Sequence, residues 1–224
     1  MTDEAHLQTT RDSYDQVAEQ YTDYVRQVFP TDVVDRAMIG LFAELVVGRG
    51  NLQVADIGCG PGHISGFLAQ RGLTVRGIDL SPAMIDIARR ARPDLRFDLG
   101  SLLELDIADG ALGGVLAHYS IIHTPPDRVP AAFAEFSRVL VPGGYLLVSF
   151  QTGDDTLHGW QEFDHKAAPA YHWSLTAMAM FLAPAGFDEV ARLRGQPGPS
   201  NRFPEGHLLA RKRGWSSPER TPDD

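Results

Sequence analysis

The chain has 224 residues, a formal net charge of −9 and one cysteine, Cys59. A lone cysteine excludes an internal disulfide and a cysteine-rich metal centre, and a chain of this size without disulfides suits a reducing, cytoplasmic setting. No apolar run approaches the ~20 residues of a membrane helix, Met1 to Gln20 lacks the apolar core of a signal peptide, and the negative charge argues against a protein held to nucleic acid by its phosphates.

Tyr14, Val17, Ala18, Tyr21, Val25 and Val28 recur at helical spacing and predict an amphipathic helix over 10–28, ended by Pro30. Val34, Ala37, Met38, Leu41 and Leu45 repeat the pattern as far as Gly48. The rhythm then changes. Leu52 to Ile57 reads as a short apolar strand, followed by the turn Gly58-Cys59-Gly60-Pro61-Gly62 and a helix carrying Ile64, Phe67 and Leu68. Leu73 to Asp79 is a second strand, and Ser81-Pro82 opens the next helix as N-cap and first-turn pair. Leu95 to Leu99 and Gly114 to Tyr119 are the third and fourth strands. Val129, Phe133, Phe136 and Leu140 mark a helix, and Pro142-Gly143-Gly144 turns into a fifth strand over Tyr145 to Phe150. Ser174 caps a helix closed by Gly186, and two further strands lie over Phe187 to Leu193 and His207 to Arg211. The polar tail, 214–224, is expected to be disordered. One domain over 1–213 results, with a helical lid at 10–48 and a cap insertion at 151–173.

Strand–helix alternation over about 160 residues predicts a doubly wound parallel sheet with helices on both faces. Such sheets bind ligands at the carboxyl ends of their strands, where strand order reverses. The glycine turn stands at such an end, followed by the free N–H groups of a helix N-terminus. Asp79 ends the next strand, where a carboxylate can accept from both hydroxyls of a ribose. The dinucleotide pattern G-x-G-x-x-G would need glycine at 63, and His63 stands there. A nucleoside with a short zwitterionic tail suits this loop better than a pyrophosphate.

Val54-Ala-Asp56-Ile-Gly58-Cys-Gly60-Pro-Gly62 resembles the first motif of class I S-adenosylmethionine-dependent methyltransferases. Gly77-Ile-Asp79-Leu80-Ser81 is similar to their second motif, and Gly113 to Ser120 to their fourth-strand motif. Arg138 to Gly144 resembles the turn into their fifth strand, Ala185-Gly186-Phe187 the turn into the sixth, and Tyr14 to Tyr21 their tyrosine-bearing lid helix. The resemblance covers roughly 10–213. It implies a Rossmann-like seven-stranded sheet whose last strand is antiparallel, and S-adenosylmethionine as methyl donor. It also implies a cofactor site drawn from Tyr14, Tyr21, Asp56, Gly58, Gly60, Gly62, Asp79, Leu80, Ser101, Leu102, Ala117 and His118. Ser101 departs from the acid that many relatives carry beside the adenine.

An oxygen or nitrogen acceptor often needs a proton removed, and His123, just after the fourth strand, is the first candidate base, with His118 the second. The segment Gln151 to Trp173 is rich in aromatic residues. It is expected to cover an acceptor pocket walled by Tyr119, His123, Trp160, Tyr171 and Trp173. His158, His165 and His172 are spaced by seven, which on a straight helix puts neighbours about 10 Å apart, too far to share an ion. No metal is expected. The sequence therefore reads as a transferase moving a methyl group to a small-molecule acceptor, most simply to an oxygen. The other readings are N- or C-methylation, and a non-methylating, cyclase-like or regulatory S-adenosylmethionine-binding protein. No nucleic-acid or membrane partner is expected, and oligomeric state is left open.

Overall fold

The computed structural model describes residues 3–153, 159–165, 168–197 and 203–214; the side chains of residues 3 and 4 are not described. His158 and the tail beyond Gly214 lie outside the described residues. Seven strands form one sheet: β1 (Gln53–Ile57), β2 (Thr74–Asp79), β3 (Arg96–Leu99), β4 (Leu112–His118), β5 (Leu140–Gln151), β8 (Phe187–Gly195) and β9 (Glu205–Lys212). Their spatial order is β3-β2-β1-β4-β5-β9-β8. β9 runs antiparallel to both its neighbours, and the other pairings are parallel. Strand order reverses between β1 and β4, so the crevice at their carboxyl ends is where a ligand belongs.

The helices are α1 (Asp3–Val28), α2 (Val33–Val47), α3 (His63–Ala69), α4 (Pro82–Ala91), α5 (Val129–Val139) and α6 (Leu175–Ala179). On one face of the sheet, Met38, Ile39, Phe42 and Val46 of α2 and Ile64 and Leu68 of α3 pack on Val54, Leu116, Leu147 and Leu209. On the other face, Phe133 and Phe136 of α5 and Met178 of α6 pack on Val115, Ala117, Leu146, Val148, Leu208 and Ala210. Successive strand residues point to opposite faces, so each central strand reads as an unbroken apolar run.

Several boundaries differ from the sequence reading; α6, expected to run to Gly186, ends at Ala179 and gives way to turns. α1 begins seven residues earlier than expected, because its first turns bury His6 and Thr10 and so lack an apolar pattern. β5 begins at Leu140 and runs through the expected Pro-Gly-Gly turn, with a register shift opposite Leu112/Gly114. The segment 151–173 holds an antiparallel pair apart from the main sheet, β6 (Trp160–Phe163) and β7 (Ala170–Trp173).

α2 lies close to the sheet because Gly114 has no side chain: a Cβ there would stand 2.7 Å from Phe42 Cζ and 2.9 Å from Val46 Cγ2. Gly114→Ala should therefore lift α2 and lower stability by about 1–3 kcal/mol, read from urea unfolding. A change within experimental error would show that α2 has slack against β4.

Candidate active site

A cleft opens at the carboxyl ends of β1, β2 and β4. Its floor is Ile57, Gly58 and Gly60, its rim Asp79, Leu80, Gly100, Leu102 and Leu103, and its roof Leu7, Thr10, Tyr14 and Tyr21 of α1. Gly58 is confined twice: its φ is +71°, and a Cβ would come 2.3 Å from that of Ser120. Asp79 fixes the glycine turn, accepting from Gly60 N–H at 2.8 Å and from Ser81 N–H at 2.9 Å. Burial pushes its carboxyl above the usual range, against these bonds.

α1 is latched on both sides of this cleft. Asp15 Oδ1 accepts from Ser81 Oγ and from Ala83 N–H, capping the start of α4, and Arg11 donates to the Leu80 carbonyl at 3.2 Å. Opposite, His6 Nε2 meets the His123 carbonyl, and Tyr14 OH lies 2.7 Å from His123 Nε2. His123 Nδ1 lies 2.9 Å from the Pro169 carbonyl. A carbonyl only accepts, so Nδ1 carries the proton and Nε2 accepts from the tyrosine. Burial pushes this ring down to about 3, so it is neutral at physiological pH.

A second cavity adjoins the first. The two share Tyr14, Tyr21, His118 and Tyr119. Tyr24, Asp32, Asp35, His63, Gln151 and His165 complete the polar part of its wall. Beneath it a polar row crosses three strands, because His118, Ser149 and His207 are register partners across β4, β5 and β9. The row one step below, Leu116, Leu147 and Leu209, is apolar and carries α2. Asp35 descends from α2 onto the polar row, with Oδ2 3.0 Å from His118 Nε2 and Oδ1 3.6 Å from His207 Nε2. Burial works against charge on His118, but the adjacent Asp35 carboxylate outweighs it and raises the ring above the usual histidine range. Burial and the neighbouring carboxylates push Glu205, next along β9, up to about 7. Tyr119 has a φ of +53°, a region that non-glycine residues enter at a cost, often where a site is being shaped.

Residues 54–144 match the family described as a methyltransferase domain. Malonyl-(acyl-carrier protein) O-methyltransferase of Serratia marcescens is 33% identical over 162 residues, which cover 67% of this chain and 61% of that protein. Residues 54–144 thus carry a methyltransferase domain, and the chain is similar to methyltransferases that use S-adenosylmethionine. Magnesium protoporphyrin IX methyltransferase of Synechocystis, solved with bound S-adenosylmethionine, superposes with a TM-score of 0.67 at 19% identity, over 92% of this chain and 97% of that one. The 1,6-didemethyltoxoflavin-N1-methyltransferase of Burkholderia thailandensis gives 0.64 at 23% identity, over 88% and 91%. At such identities the two structures speak for the fold. The chain spans about three-fifths of the Serratia methyltransferase's length.

The first cavity fits this family's cofactor in its donor set. It offers a carboxylate for a ribose, apolar walls at Leu80, Leu102 and Leu103, and buried hydroxyls of Thr10 and Ser120 with no partner among the described residues. Of the residues expected there, Tyr14, Tyr21, Gly58, Gly60, Asp79, Leu80, Leu102 and His118 line this cavity. The others do not, each for a local reason. Asp56 accepts from Ser65 Oγ of α3 at 2.6 Å. Gly62 has turned away to start α3. Ser101 Oγ folds back to accept from Leu103 N–H. Ala117 points to the α5 face by strand alternation.

Of the residues expected in an acceptor wall, Tyr119 lines both cavities and His123 the first, whereas Trp160, Tyr171 and Trp173 line neither. Trp173 is only 2% exposed and packs in the core against Phe181. Trp160 and Tyr171 pair edge to face on the β6–β7 unit. Asp32, Asp35, His63, Gln151 and Tyr24 line the second cavity, and sequence reasoning did not single them out for it. They come from separate elements, and the only local signal was polar Ser149, Glu205 and His207 inside otherwise apolar strands.

The neutral His123 ring gives a pH prediction. The unfolded chain protonates it near pH 6.5 and the fold only near 3, so it withdraws stability as pH falls through that window. At pH 5 this amounts to roughly 2 kcal/mol. His123→Gln should shrink the stability lost between pH 7 and pH 5 by about that amount in urea unfolding. Equal losses in both proteins would mean the ring takes up protons freely in the fold.

Proposed function

We propose that this chain transfers the methyl group of S-adenosylmethionine to a hydroxyl oxygen of a small molecule held in the second cavity. The observation that carries this reading is the seam: two adjoining cavities that meet at Tyr14, Tyr21, His118 and Tyr119. Bound in the first cavity, the cofactor supplies an electrophilic methyl carbon on a sulfonium. Methyl transfer is an in-line displacement, so the protein's task is to align the two partners and keep water out. Asp79 and the glycine turn hold the nucleoside end. The latched α1 lays two tyrosine rings over the seam, and the carbonyl ends of β4 and β5 close it from below.

The two expected catalytic histidines separate here. His123 has both nitrogens engaged, one by Tyr14 and one by Pro169, and acts as the anchor of the lid. His118 borders both cavities and is the ring that meets the acceptor. Similar proteins include the Serratia malonyl-(acyl-carrier protein) O-methyltransferase and a demethylmenaquinone methyltransferase. The wall of the second cavity contains acids, histidines, a glutamine and tyrosines but no arginine or lysine among the described residues. It therefore suits a neutral, hydroxyl-bearing acceptor better than one bound by a free carboxylate.

Two measurements test this reading. Asp79→Ala should weaken S-adenosylhomocysteine binding by at least about tenfold in calorimetry, the value of one charge-assisted hydrogen bond or more. Unchanged affinity would remove Asp79 from the cofactor site. His118→Asn should lower turnover of labelled S-adenosylmethionine with a hydroxyl acceptor about a hundredfold, while cofactor affinity moves only a few-fold. Label appearing on amines but not on hydroxyls would overturn the oxygen assignment.

A further inference from the structure

We propose that Asp35, Glu205 and His207 bind a single divalent transition-metal ion beneath the second cavity. Glu205 and His207 are two apart on β9, so both side chains leave the sheet on the α2 face, and Asp35 comes down from α2 to meet them. One ligand atom from each lies within 4.8 Å of the others, and all three residues are buried. His207 Nε2 and Asp35 Oδ1 stand 3.6 Å apart. Two ligands at ~2.1 Å from one ion are separated by roughly 3.0–4.2 Å, depending on the angle between them.

The second observation concerns two of these atoms. Asp35 Oδ1 and His207 Nε2 have no hydrogen-bond partner among the described residues, and His207 is wholly buried. Buried polar atoms left in this state usually mark an absent water or ion.

The third is that two of the ligands are held from behind. Ser149 Oγ lies 3.0 Å from His207 Nδ1, which leaves Nε2 as the free ring nitrogen. His118 Nε2 faces the other oxygen of Asp35 at 3.0 Å. Metal sites are characteristically built this way, with outer groups orienting the ligands.

The chemistry selects the ion. Two carboxylates cancel a dication, so the filled site is neutral in the interior. One imidazole with two carboxylates favours manganese, ferrous iron or zinc over magnesium or calcium, which prefer oxygen alone. The site opens on one side, because Asp35 also lines the second cavity. Under the methyl-transfer reading, an ion there would hold an acceptor's oxygen beside the seam. That role rests on the reading above; the site itself does not.

The test is ion binding, which needs no activity. The full chain, stripped with EDTA, is titrated calorimetrically with Mn²⁺ and with Zn²⁺. We expect one equivalent to bind, at least about tenfold more weakly in Asp35→Asn and Glu205→Gln and about tenfold more weakly in Ser149→Ala. Asp106→Asn, an exposed carboxylate, should match the native chain. No binding heat with either ion, or equal affinity in Asp35→Asn and the native chain, overturns the proposal. Should the variants misfold by circular dichroism, Co²⁺ added to the native chain must show a visible spectrum distinct from that of the aquo ion, and an aquo spectrum overturns it. S-adenosylhomocysteine binding is measured on the same samples, so loss of the metal site and loss of the methyltransferase reading are told apart.

Discussion

Asp35 is a carboxylate on a helix that lies face down on a β-sheet, and the rest of the site depends on how that charge is accommodated. A buried ion with no partner costs several kcal/mol. Here α2 can bring Asp35 to the sheet because β4 ends in His118, 3.0 Å away, and β9 offers His207 beyond it. The contact fixes the depth of α2. Gly114 beneath Phe42 lets the helix reach that depth, and the Leu116–Leu147–Leu209 row gives it an apolar seat. The second cavity is the space left above the polar row once α2 is set at this height. The same contact therefore docks a helix, closes a core and makes a polar pocket wall.

A second constraint acts from the other side. The lid α1 presents few apolar residues to the body, and much of its hold comes from polar contacts at two edges of the cleft. Individual hydrogen bonds of this kind are worth about 1 kcal/mol each, so a latch of several is firm without being permanent. That suits a roof that must admit a ligand and then exclude water. Burial keeps His123 neutral, so it offers Tyr14 a lone pair and never the repulsion of a second donor. Its place in the chain made it look like a base, and its surroundings make it a fastening.

The sequence made the frame of the fold legible because local rules wrote it. Alternating strands and helices, the turn Gly58 to Gly62, Asp79 at a strand end and Ser81 as a cap all act within a few residues of themselves, and they survive in three dimensions. The polar part of the site did not read out in the same way. Trp160, Tyr171 and Trp173 advertised themselves by type, and the hairpin sets all three on one face, because Trp160 and Trp173 are register partners; Trp173 is nonetheless buried in the core while Trp160 is nearly half exposed. The residues of the second cavity and of the polar row beneath it are spread over 14–207, and the row forms only because β4, β5 and β9 take particular registers. A one-residue slip of β9 would turn His207 and Glu205 to the opposite face and leave Leu208 under Asp35. No window of sequence contains that information.

His207 shows how such a site could be recognised earlier. Histidine is wholly buried in the middle of the sheet, next to Leu208 and Leu209, where an apolar residue would be cheaper. Ser149 on the neighbouring strand breaks the same rule in the same row. Two polar residues in central strands are ordinary exceptions one at a time, but paired across a ladder they support each other, and the hydrogen bond between Ser149 and His207 leaves one ring nitrogen aimed at Asp35. A fold that places polar side chains side by side in its core bears a stability cost that packing alone does not explain. The economical account is that this row is maintained for what sits above it, and above it lies the cavity whose far wall is the seam.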